Sequence, residues 1–94
     1  MKLPDAVALV AVLITRPAFA LTGKRYLPES KITPQQARQI ALKTYPGTIV
    51  SEELEPESGG SGLRYSFVIR NNNVKHEVGI DAKAGNVLED SIER

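Results

Sequence analysis

No cysteine occurs in the 94 residues, and only one histidine, His76. The first absence excludes a disulfide framework and lipid attachment at an N-terminal cysteine; with the second, a structural zinc site would need carboxylates for every other ligand. Charge of one sign is also missing. Twelve Lys and Arg stand against eleven Asp and Glu, so no electrostatic footprint for nucleic acid is present. Nor is there a long hydrophobic run. The apolar stretch Ala6 to Thr15 has ten residues and is closed by Arg16-Pro17, about half of the ~20 needed to cross a bilayer.

That short run has the layout of a secretory signal peptide over residues 1–20. Lys2 gives a weakly positive start, and Ala18-Phe19-Ala20 places small residues at Ala18 and Ala20, the positions that flank a cut after Ala20. The expectation is an exported protein, periplasmic or secreted, with no stable membrane insertion once the signal is removed. Without Lys2, Arg16 and Asp5, the remaining chain carries ten basic and ten acidic residues. Without a disulfide its stability rests on packing alone, and a domain of this size buries only about 60 per cent of its unfolded surface, so its margin is thin unless a partner adds buried area.

Residues 21–31 lack periodicity and read as a flexible leader ahead of a domain spanning 32–94. In "ITPQQARQIALKTYPG" the signals for a helix are stacked: Thr33 as N-cap, Pro34 at the first helical position, Gln36 closing a capping box and Pro46-Gly47 ending the run. Ala37, Ile40, Ala41 and Thr44 form its packing stripe, leaving Gln35, Arg38, Gln39 and Lys43 to solvent. Thr48 to Leu54 reads as a strand that runs into the loop "EELEPESGGSG". The alternation in "LRYSFVIR" and "VKHEVGI" marks two further strands joined across Asn71 to Asn73, and residues 86–92 form the last. Between those final strands Asp81 is placed to accept hydrogen bonds from N–H groups two or three residues on, and Gly85 to supply a left-handed residue.

No constellation for catalysis emerges. Ser51, Ser58, Ser61, Ser66 and Ser91 stand in no nucleophile elbow, and glycines 59, 60 and 62 lack the Lys-Ser/Thr ending of a phosphate cradle. Glu52 and Glu53, like Glu89 and Asp90, are sequence neighbours whose side chains diverge in a strand. The chain therefore reads as a non-enzyme with no cofactor. His76 reads as a packing residue on the apolar side of its strand.

The capped helix, the "YSFVI" strand and above all "VGIDAKAGNVL" resemble the PepSY domain over about residues 32 to 92, with Ala84 where many members carry Thr. The resemblance implies an α+β fold, one N-terminal helix packed on a small antiparallel sheet of three to four strands. It also implies an exported domain that restrains or escorts a secreted or envelope peptidase, with no catalytic residue to carry over. A single helix covers one face of such a sheet. On the other, Arg64, Arg70, Lys75 and Glu77 are the candidate partner-binding residues, and an edge strand could accept an extended peptide. The competing expectation is an envelope sensor for a small molecule or metal ion.

Overall fold

In the computed structural model, which describes residues 20–94, the capping signals open helix α1, Pro34–Thr44. The Thr33 hydroxyl accepts from the Gln36 N–H at 3.1 Å, and the Gln36 side-chain oxygen accepts from the Thr33 N–H at 2.8 Å. Two otherwise orphaned donors are thereby satisfied. Tyr45 leaves the helical conformation directly before Pro46, as the steric demand of a proline on its predecessor requires. Ala37 and Ala41 are fully buried. Their small side chains bring the helix close to the sheet. The apolar run and Ala18 lie outside the described residues, while Ala20 is exposed at their start.

Four strands follow: β1 (Thr48–Pro56), β2 (Leu63–Asn71), β3 (Val74–Asp81) and β4 (Val87–Ile92). They pair antiparallel in the order β1-β2-β3-β4, so every strand lies beside its neighbour in sequence. Residues alternate between faces along each strand. One face gathers Leu54, Leu63, Tyr65, Phe67, Ile69, Val78 and Ile80 into the core beneath α1. The Tyr65 hydroxyl donates to the Ile32 carbonyl at 2.8 Å, and the N–H groups of Lys31 and Ile32 donate to the Ala82 carbonyl. The entry to α1 is thus fixed to the far end of β3.

Three local expectations are corrected. Residues 21–31 are built into the fold: Lys24–Glu29 form a 3₁₀ helix, and Leu21, Tyr26 and Leu27 pack against the core. Ahead of it Thr22 makes a parallel bridge to β1, donating its N–H to the Glu52 carbonyl at 3.2 Å and accepting from the Leu54 N–H at 2.9 Å. β1 runs to Pro56, beyond Leu54, because a proline at the last position of an edge strand removes no ladder donor that the sheet needs. Arg38 is only half-exposed and reaches from α1 to β1. Its guanidinium donates to both carboxylate oxygens of Glu52, at 2.6 and 2.8 Å.

Glu52 stands on the core face because the β1–β2 register shifts between Ile49 and Ser51. Its side chain is fully buried, so the paired guanidinium replaces the water it has lost. The hydrogen bonds to Glu52 in turn hold the Arg38 pKa above its ordinary value.

Candidate partner-binding face

The alternation that sends Tyr65, Phe67 and Ile69 toward α1 sends Arg64, Ser66, Val68 and Arg70 to the other face. The β2–β3 register sets them opposite Asp81, Gly79, Glu77 and Lys75 in that order. Arg70 and Lys75 are paired and exposed beside the Asn72-Asn73 turn, where Asn72 takes a left-handed backbone conformation. Glu77, one pair further in, is half-buried.

Arg64 is differently placed. Only 8 % of it is exposed. Its Nη1 lies 3.3 Å from both Glu57 and Glu89, and its Nη2 donates to the Ser58 carbonyl at 3.1 Å. The guanidinium therefore clamps the β1–β2 loop and β4 onto the middle of the sheet. Arg70, Lys75 and Glu77 are what a partner could reach directly.

The glycine-rich loop between β1 and β2 folds back over this face. Asp81 holds it there, accepting from the Ser61 N–H and Ser61 hydroxyl, each at 2.7 Å, and from the N–H groups of Lys83 at 2.8 Å and Ala84 at 3.1 Å. The last two are the turn bonds legible in the sequence; the first two join loop to turn. Burial alone would raise the Asp81 pKa, but the hydrogen bonds from Lys83, Ser61 and Ala84 outweigh it and lower the value from 3.8 to about 2. Gly60 permits the approach, since its φ is 56° and a Cβ there would collide with the Asp81 carboxylate.

Around Arg64 the face is acidic. Burial, then the nearby carboxylates of Glu89, Glu55, Glu57 and Glu93, raise the Glu77 pKa; burial, then Glu55, raise that of Glu53. At the far end of the core face, His76 stacks on Tyr45 with ring centroids 3.7 Å apart and contacts Asp90 through Nδ1 at 2.7 Å. The Tyr45 hydroxyl donates to the Val74 carbonyl at 3.1 Å. His76 thus packs as its strand position implies, tying α1 to β3 and β4.

Among the described residues, no group of three His, Cys, Asp or Glu side chains is placed to hold a metal ion. No described helix is long and apolar enough to cross a membrane. Helix, meander and clamped face together define a small α+β domain whose buried carboxylates, Glu52 and Asp81, are held by an ion pair and by hydrogen bonds. The chain belongs to the PepSY family: the family model for the peptidase propeptide and YPEB domain matches residues 31–90. No curated protein and no solved structure matches it.

Proposed function

We propose that the protein is an exported binding domain that modulates a secreted or envelope peptidase. The observation that carries this reading is the match to a peptidase propeptide domain over residues 31–90. The one-sided helix supports it, because the end of the opposite sheet face not covered by the β1–β2 loop, around Arg70 and Lys75, is left to meet a partner. In this reading Arg70, Lys75 and Glu77 make the contact, and Arg64 supports them by keeping the loop and β4 in place. The signal in residues 1–20 directs export, with the cut after Ala20; an intact Met1 on protein isolated from outside the cytoplasm would refute that.

The test of binding is a titration of secreted metallopeptidases from the same source with the purified protein. A stoichiometric loss of peptidase activity is expected, weakened when Arg70 and Lys75 are changed to Glu and when salt is raised, since exposed charges are screened beyond about 8 Å at physiological ionic strength. Thermal unfolding controls establish that the charge-reversed protein is folded. No effect on any peptidase, together with a rise in Tm on adding a small ligand or divalent ion, would make the domain a sensor instead.

A further inference from the structure

The two edges of the sheet are not alike. At β1 the Thr22 bridge occupies backbone groups of Glu52 and Leu54. At β4 no described segment pairs with the outer side. The Glu93 N–H donates inward to the Lys75 carbonyl, so by antiparallel alternation Glu89, Ser91 and Glu93 turn their backbone groups toward β3 while those of Asp90 and Ile92 point away from the sheet. An edge of this kind is a template for another strand.

Side chains along β4 specify what that strand would carry. On the outer face Glu89 and Glu93 stand four residues apart with Ser91 between them, Glu77 lies on the adjoining strand, and burial together with the nearby like charges raises the Glu77 pKa. On the helix side Val87 and Ile92 are 42 % and 54 % exposed. A second copy of β4 fits poorly. Centred on Asp90, two aspartates would face each other; centred on Ser91, Glu89 would face Glu93, and like charges directly opposite destabilise a pair.

We propose that β4 takes an extended segment of a partner protein as a fifth, antiparallel strand, with basic side chains alternating with apolar ones. The basic residues meet Glu89, Glu93 and Glu77; the apolar ones extend the core face past Val87 and Ile92. This rests on the reading of the domain as a binding module and adds to it the edge used and the chemistry of what is bound.

The probes are three short synthetic peptides: one alternating Val and Lys, one alternating Val and Glu, and the first with alternate backbone nitrogens methylated. Binding of the Val-Lys peptide is expected, with slowed amide exchange at Asp90 and Ile92. Methylation of the peptide should weaken it about tenfold or more, as should Ile92→Pro, which removes one outward donor at an edge position that tolerates proline. Asp90→Asn, which keeps the donor, should bind more nearly like the parent.

Equal binding of the Val-Lys and Val-Glu peptides, or binding indifferent to methylation, would overturn the proposal. So would protection appearing only on other strands. If the Val-Lys peptide fails to bind while the protein still slows a peptidase, strand addition at β4 is refuted and the binding-module reading stands; if Ile92→Pro also abolishes the effect on the peptidase, β4 is implicated in the natural contact.

Discussion

Two buried carboxylates, Glu52 and Asp81, are held by opposite means. Glu52 depends on a charge, the Arg38 guanidinium. Truncation by Arg38→Ala should cost about 2–3 kcal/mol, near the lower end for a buried pair because the arginine side chain keeps 24 % exposure. Replacing both, Arg38→Met with Glu52→Leu, should return stability to within about 1 kcal/mol of the parent, since neither charge is then left buried. Urea midpoints for the three proteins decide it; a double variant no better than the single would show that the pair is not the source of the loss.

Asp81 depends instead on neutral donors, three N–H groups and a hydroxyl. Its folded-state pKa is depressed, so its contribution is complete above the unfolded value and is lost as pH falls through the folded one. The window runs from 3.8 down to about 2, and the contribution at neutral pH is about 2 kcal/mol. Asp81→Asn should lower stability at pH 7 and flatten its decline across that acid window. An unchanged decline in the variant would mean that other groups govern acid unfolding.

At the scale of elements, what was legible was what is local. The caps of α1, the alternation of β2 and the Asp81 turn each depend on residues within four positions of one another, and each appears where the sequence places it. Glu52 was not legible, because one register shift exchanges the faces of a strand and its partner Arg38 lies fourteen residues away. The segment 21–31 was missed for a related reason: a 3₁₀ helix has no 3.6-residue stripe, and its anchor is a bridge to a strand formed much later in the chain. The glycine loop betrayed its turns but not the sheet it folds against, and so Arg64, read as a partner-binding residue on the open face, is buried beneath it. Two substitutions separate turn from loop. Gly85→Val should cost about 1–2 kcal/mol through left-handed strain, as φ is 81° and the space around it is otherwise ordinary. Gly60→Ala should also destabilise, through its φ of 56° and by displacing Asp81, so the second part of its cost should shrink in an Asp81→Asn background while the cost of Gly85→Val does not. A double-mutant cycle with no coupling between Gly60 and Asp81 would refute the hold of Asp81 on the loop.

The described residues form one layer of helix on one sheet, and with no cysteine in the sequence no disulfide staples them. Phe67 is fully buried in β2 and packs near Tyr65, with ring centroids 6.3 Å apart. Phe67→Ala should cost about 3–5 kcal/mol, comparable to the entire margin of a small domain, and leave the protein largely unfolded in mild urea. A native-like midpoint in that variant would place the core elsewhere.

The meander order has a mechanical meaning. Because β2, β3 and β4 pair only with their neighbours in the chain, a pull applied beyond β4 opens β4 from β3 a few hydrogen bonds at a time, then β3 from β2, with no strand loaded in shear across the whole sheet. A molecular motor that grips Arg94 therefore meets a zipper. At the other end of the described residues stand the Thr22 bridge and the packed 3₁₀ helix, so the two ends of the fold resist a pull by different means.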